Sequence, residues 1–185
     1  MIRNATVADV PAILEIYKPY ILQTAITFEY DVPTLAEFEQ RFLRISEKHP
    51  WLVWEEDGRV LGYAYGEPAF VRAAYQWAAD LAIYLAPDAQ RKGIGRKLYE
   101  ALEDTLRKQG YFLCYGVVTS ANERSCAFHE AMGYKKTAVF PDCGFKLGRW
   151  YGTVWYEKRL REGTPEHPPV SRTELDCHSS CGASQ

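Results

Sequence analysis

The sequence predicts an α/β fold in which helices cover both faces of a mixed, mostly antiparallel β-sheet. Apolar periodicity along the chain gives the element order β-α-α-β-β-β-α-β-α-β-β, and strands interleaved with helices assemble into layers of this kind. The chain has 185 residues, of which 47% are hydrophobic and 25% are charged. That length and composition are typical of one well-packed globular domain.

The N-terminal third is predicted to contain one strand and two helices. The short segment 2–5 is predicted to form the opening strand. Each helix is preceded by a capping box, a hydroxyl residue followed three positions later by an acid, at 6–9 and at 34–37. Apolar residues at helical spacing extend the first helix to residue 21 and the second to His49-Pro50.

A β-hairpin and a further strand are predicted next. Two apolar runs, 51–55 and 59–65, flank the dipeptide Asp57-Gly58, which favours the tight turn of a hairpin. After a connection, residues 77–85 are predicted to form a strand that ends before Pro87.

Residues 93–109 are predicted to form the most regular helix of the chain. Leucine or isoleucine recurs there at every fourth position, and Gly110 favours an end at that point. The elements that complete the predicted domain are a strand at 111–118, a helix at 122–132 and strands at 135–140 and 153–158.

We place the domain at 1–162 and predict a flexible tail at 163–185. Proline, serine, threonine and glycine replace large apolar residues in that segment. It contains Cys177, His178 and Cys181, which look like half of a zinc site. A structural zinc ion needs four ligands and no partner cluster is evident, so we predict no bound metal.

Charge and cysteine content argue against several classes of protein. The formal net charge is −2 and the basic residues are interleaved with acidic ones, so we predict no nucleic-acid partner. No apolar run is long enough to span a membrane, and the first twenty residues lack the apolar core of a signal peptide. The five cysteines are odd in number and widely spaced, which favours reduced thiols and a cytoplasmic location.

A loop between the 77–85 strand and the 93–109 helix is a candidate anion site. Its glycines let the backbone approach a ligand closely, and the start of a helix offers unpaired N–H groups that suit a pyrophosphate. It matches neither the dinucleotide nor the Walker pattern, and a simple glycine turn at a helix start is the alternative. The residues are Gln90, Arg91, Lys92, Gly93, Ile94, Gly95 and Arg96.

Two motifs carry a resemblance to a known family. The loop at 90–95 resembles the Gln/Arg-x-x-Gly-x-Gly/Ala acetyl-CoA loop of the GNAT N-acetyltransferases, and the segment 122–134 resembles a second motif of that superfamily. The resemblance implies a GNAT fold and acetyl-CoA as co-substrate, with its pyrophosphate on the loop amides. It also implies that Asn122 and Ser125 lie on the cofactor. The strand that would line the pantetheine arm with its backbone contains Ile83, Tyr84 and Leu85.

Two candidate catalytic residues come from the same resemblance. His129 stands where the family usually has a tyrosine that donates a proton to the leaving thiolate, and this departure is similar to the phosphinothricin and methionine sulfone acetyltransferase branch. Asp80 stands where that branch has a glutamate, the proposed general base. Aspartate is shorter by one C–C bond, about 1.5 Å, so its proton transfer would use a bridging water or be weakened. A purely structural aspartate is the alternative.

The acceptor site implied by this branch is small and closed. Lys146 would pair with a substrate carboxylate, although a lysine is by default a surface residue. Other residues that we place near the substrate are Phe28, Arg72, Gln76 and Trp150.

We therefore predict an acetyl-CoA-dependent N-acetyltransferase that acetylates the primary amine of a small amino acid or analogue by direct attack. Phosphinothricin, methionine sulfone and methionine sulfoximine are the implied type of acceptor, and the branch implies a homodimer. Two alternatives remain open: a GNAT enzyme that modifies protein N-termini or lysines, and a non-catalytic module that binds acyl-CoA.

Overall fold

The computed structural model describes residues 1–171, so the predicted half zinc site at Cys177, His178 and Cys181 lies outside the described residues. The helices are α1 (Val10–Gln23), α2 (Leu35–Ser46), α3 (Ile94–Gln109) and α4 (Glu123–Ala131). The strands are β1 (Ile2–Asn4), β2 (Trp51–Glu56), β3 (Arg59–Pro68), β4 (Ala78–Leu85), β5 (Leu113–Thr119), β6 (Lys135–Lys146) and β7 (Arg149–Arg159).

The strands form one mixed sheet in the order β1-β2-β3-β4-β5-β7-β6. The pairing of β4 with β5 is parallel and every other pairing is antiparallel. The predicted α/β fold with a mixed, mostly antiparallel sheet is confirmed.

Helices α1 and α2 pack on one face of the sheet, and aromatic side chains fill that interface. Tyr17 of α1 lies edge-on to Tyr84 of β4, with ring centroids 4.7 Å apart. Phe38 of α2 meets Trp51 of β2 in the same way, and Trp51 stacks on Tyr65 at 4.1 Å. Large buried rings of this kind supply much of the hydrophobic stabilisation of a domain.

Helix α3 packs on the opposite face, where β3 presents small residues. Side chains alternate across a strand, so Gly62, Ala64 and Gly66 point away from α1 and α2. A Cβ at Gly66 would lie 3.5 Å from the side chain of Leu106 in α3. The small residues therefore let α3 approach the sheet closely, and helices cover both faces as predicted.

Local signals account for the predicted helix start and hairpin turn. The capping box at α2 is formed: the Glu37 backbone N–H donates to the Thr34 hydroxyl at 3.3 Å, and the Thr34 N–H donates to the Glu37 carboxylate at 2.8 Å. Between β2 and β3, Asp57 and Gly58 have φ angles of 50° and 75°. Two consecutive positive φ angles define the turn type that Asp-Gly favours.

The last two strands are longer than the sequence predicted. We expected strands at 135–140 and 153–158, but β6 and β7 continue to a tight turn at Leu147 and Gly148, whose φ angles are 48° and 79°. Pro141, which follows the predicted end of the strand, lies where the register between β6 and β7 shifts. Because β6 is an edge strand, a proline beside a bulge removes no essential ladder bond.

The C-terminal part of the described chain lies against the domain. The Val170 N–H donates to the Gln109 backbone oxygen at 2.8 Å, and the Trp77 indole donates to the His167 carbonyl at 3.1 Å. The tail boundary at 163 and its flexibility stay predictions. In residues 1–171, no helix is both long enough and apolar enough to cross a membrane.

Candidate active site

The central cavity opens where β4 and β5 separate. These parallel strands pair only over Ala78–Asp80 and Leu113–Tyr115, whereas β4 pairs with β3 along its whole length. Beyond Asp80, the second edge of β4 therefore faces a cavity of about 620 Å³. Ligands of α/β sheets bind at such a point, outside the carboxyl ends of parallel strands.

The start of α3 forms one end of this cavity. Gly93 has a φ of 76° and Arg91 a φ of 63°, so the loop turns sharply before the first helical N–H groups. A Cβ at Gly93 would meet no atom within 4 Å, which leaves the loop backbone open to a ligand. The side chain of Arg124 reaches this end from α4 and donates to Gln90 at 3.4 Å. Helix N–H groups and arginines together suit a pyrophosphate.

Most of the predicted cofactor residues come together around the cavity. The two exceptions are Lys92, which is exposed, and Ile94, whose side chain is buried in the core. The predicted residues that line the cavity are Ile83, Tyr84, Leu85, Gln90, Arg91, Gly93, Gly95, Arg96, Asn122 and Ser125.

Asp80 lies where β4 and β5 diverge, in an environment that raises its pKa. Its Oδ1 atom is shielded from solvent and has no hydrogen-bond partner. Burial, followed by the negative charge of Glu67, raises the pKa of Asp80 from 3.8 to about 7, while the backbone amides of Leu81 and Val117 oppose the rise. A general base is most effective when its pKa is close to the working pH.

The wall of the cavity near Asp80 contains residues that the sequence analysis missed. Tyr17 hydrogen bonds to the Thr27 hydroxyl at 2.7 Å, and Glu29 forms an ion pair with Arg41 at 2.6 Å. Glu67 lines the same wall and pairs in register with Asp80. The alternation of the β3 sequence, which places Glu67 on the face of the aromatic residues of that strand, was the available signal.

His129 lies beneath Gly116 on the face of the sheet covered by α3 and α4, and its ring borders the cavity. Its Nδ1–H donates to the Ser125 carbonyl at 2.8 Å, and its Nε2 then accepts from the Tyr99 hydroxyl at 2.9 Å. Burial lowers the pKa of His129, and the Ser125 carbonyl partly counteracts this. The ring is thus neutral with both nitrogens engaged, and its role in proton transfer stays a prediction.

The five predicted substrate residues do not line the cavity described for residues 1–171. Lys146 is buried, and its ammonium donates to the Thr27 carbonyl at 2.7 Å, which places it directly behind the cavity wall. Phe28 packs against Gly144. The other three are on the surface: Arg72, Gln76 and Trp150. Their contacts with a substrate stay predictions.

Among the described residues, no group of three or more His, Cys, Asp or Glu side chains is placed to hold a metal ion. The cavity extends from the helix start at Gly93 to the buried carboxylate of Asp80. A site of this construction belongs to an acyltransferase that uses a coenzyme A thioester.

Comparison with known proteins supplies the family. The family model described as an acetyltransferase (GNAT) domain matches residues 2–155. The chain therefore belongs to the GNAT acetyltransferase family, and it is an N-acetyltransferase with acetyl-CoA as co-substrate.

Several relatives match over most of their length. A phosphinothricin N-acetyltransferase of Streptomyces viridochromogenes is 32% identical, covering 94% of this chain and 95% of the relative. An L-methionine sulfoximine/L-methionine sulfone acetyltransferase of Salmonella typhimurium is 35% identical, covering 87% and 95%. The crystal structure of a GNAT superfamily phosphinothricin acetyltransferase from Sinorhizobium meliloti in complex with AcCoA has a TM-score of 0.86 and 35% identity, covering 91% and 92%.

Proposed function

We propose that this enzyme acetylates the primary amine of a small amino acid or amino-acid analogue, of the phosphinothricin, methionine sulfone or methionine sulfoximine type. The observation that carries the proposal is Asp80, a carboxylate with a pKa of about 7 at the divergence of β4 and β5. The names of the relatives support this class of acceptor.

The reaction is a direct attack of the amine on the thioester. Acetyl-CoA supplies the acetyl group, and the helix start around Gly93 holds its pyrophosphate. Asp80 accepts a proton from the acceptor ammonium, because an α-amine is largely protonated at neutral pH and cannot attack in that form. The unpaired edge of β4 near Ile83 supplies an N–H donor for the thioester oxygen as negative charge develops there.

The first experiment measures release of the CoA thiol from acetyl-CoA with a panel of acceptors. The panel contains free amino acids, methionine sulfone, phosphinothricin, a polyamine and a short peptide, each with the wild type and with Asp80→Ala. Turnover of a free amino acid that collapses in the variant supports the proposal. Turnover of the peptide alone identifies a protein-modifying enzyme instead, and tight CoA binding without turnover identifies a non-catalytic module.

We also propose that the enzyme works in the cytoplasm. A second proposal is that two copies of the chain form a homodimer through the exposed side chains of the edge strand β6. Large apolar side chains are exposed along this edge strand and at the start of β7, including Phe140 at 49%, Phe145 at 47% and Trp150 at 60%. Exposed apolar patches of this kind are typical of association surfaces. Sedimentation of the wild type beside Trp150→Ser tests the dimer, since a monomeric wild type contradicts it.

A further inference from the structure

We propose that Glu67 is a positioning residue of this reaction, and that Glu67 and Asp80 together hold the ammonium group of the acceptor between two carboxylates on adjacent strands. The inference rests on the proposed function and deepens it, because it identifies what recognises the reacting nitrogen.

The sheet register places the two carboxylates side by side. Glu67 of β3 and Asp80 of β4 are direct partners in the antiparallel ladder, and such partners have their Cβ atoms about 5 Å apart on one face. Both residues line the cavity. A nitrogen that enters the cavity at this point therefore meets both side chains at once.

Among residues 1–171, no cationic side chain forms an ion pair with either carboxylate. Like charges placed directly opposite each other destabilise a sheet, yet the structure of residues 1–171 shows no hydrogen bond from another side chain to either carboxylate. The backbone amides of Leu81 and Val117 are the groups that favour the charged form of Asp80. The Oδ1 atom of Asp80 is buried without any partner. The cationic residues that act on Glu67 lie on α2, where Arg41 is engaged by Glu29 at 2.6 Å and Arg44 is exposed. An ammonium group, with three N–H donors, supplies the missing positive charge.

The other groups near the pair do not replace that charge. Burial raises the pKa values of Tyr65 on β3, Tyr99 on α3 and Cys114 on β5, on which the charge of Asp80 also acts, so all three are neutral at pH 7. His129, at the cavity edge, has a lowered pKa and is neutral as well. The charged groups that act on Glu67 are Arg44, Arg41 and Glu29.

The two carboxylates have different tasks. Burial raises the pKa of Glu67, and the charges of Arg44 and Arg41 partly counteract this rise. Glu67 binds the nitrogen, and Asp80, whose Oδ1 atom is shielded from solvent, gains and loses the proton. The acceptor ammonium gives one proton to Asp80, which becomes neutral. The resulting amine stays hydrogen bonded to Glu67, with its lone pair free to attack the thioester carbon.

Glu67→Gln, which keeps the size and removes the charge, is the main test. We expect the KM for the amine to rise about tenfold, as for loss of a hydrogen bond to a charged group, with the KM for acetyl-CoA unchanged. The acidic limb of the pH profile, the range in which kcat/KM rises with pH, should also move to lower pH. The reason is that the pKa of Asp80 falls when its negative neighbour is removed. In Glu67→Asp the acidic limb should stay at its wild-type pH, because the negative charge remains. Glu47→Gln is the matched control, because this glutamate is exposed at the end of α2.

A second measurement separates this inference from the proposed function. The pKa of Asp80 can be followed by the NMR shift of its carboxyl carbon, which needs no turnover. It should fall in Glu67→Gln and stay unchanged in Glu47→Gln, and addition of methionine sulfone should lower it in the wild type. A wild type that acetylates no amine refutes the proposed function. An amine KM, pH limb and Asp80 titration that are the same in Glu67→Gln and wild type overturn the inference and leave the function intact.

Discussion

Replacing Asp80 with asparagine is expected to change activity and stability in opposite directions. The amide has the size of the carboxylate but cannot accept a proton. A positioned general base contributes about 10²–10⁴-fold, so kcat/KM for the amine should fall by that factor. In the wild type, kcat/KM should rise with pH up to about 7, the pKa of Asp80, and this acidic limb should be absent from the variant.

The stability change follows from the same pKa, which the native structure raises from 3.8 to about 7. Below about pH 4 the native and unfolded chains both bind the proton, and the residue has no pH-dependent effect on stability. As the pH rises towards 7, the unfolded chain releases its proton while the native chain keeps it, so the free energy of unfolding falls. At roughly 1.4 kcal/mol per pKa unit, the full loss is about 4 kcal/mol.

Urea unfolding of the wild type and Asp80→Asn between about pH 4 and pH 8 measures this effect. The variant should be the more stable protein at pH 8, by up to about 4 kcal/mol, and the difference should shrink towards pH 4. Asp31→Asn is the control, because Asp31 is exposed and makes no ion pair within residues 1–171. A stability difference that is the same at both ends of the range would refute the reasoning, as would an acidic limb that persists in the variant.

Three further substitutions test the scaffold. Gly116→Ala places a Cβ 2.5 Å from His129 Nε2, so overpacking should lower the free energy of unfolding by about 1–3 kcal/mol in urea titrations. Gly93→Ala forces a φ of 76° on alanine; we expect a loss of about 1–2 kcal/mol and a higher KM for acetyl-CoA, and an unchanged KM would contradict the placement of the loop. Thr34→Ala removes the cap of α2 and should reduce stability by about 1 kcal/mol, with kcat unchanged.

The elements that could be predicted from sequence are those whose chemistry is local. The α2 capping box, the Asp57-Gly58 turn and the helix that ends at Gly110 each depend on residues a few positions apart. The loop at 90–95 and Asp80 could be named as candidates because each belongs to a short motif that resembles the family, and their roles stay predictions.

The features that could not be predicted depend on contacts distant in sequence. The partnership of Glu67 with Asp80 requires the register of β3 against β4. The burial of Lys146 depends on the Thr27 carbonyl, 119 positions away. The length of β6 depends on a register shift beside Pro141, which a pattern of strand formers and breakers does not contain.

The short pairing of β4 with β5 also determines how the cavity can change its width. The strands β1–β4 and the strands β5, β7 and β6 form two plates joined along Ala78–Asp80. A change in the angle between the plates would move the open end of the cavity most and the end joined at Ala78–Asp80 least. Asp80 lies where the plates are joined, so the position of this proposed proton acceptor is insensitive to motions that would widen the cavity for a bulkier acyl group.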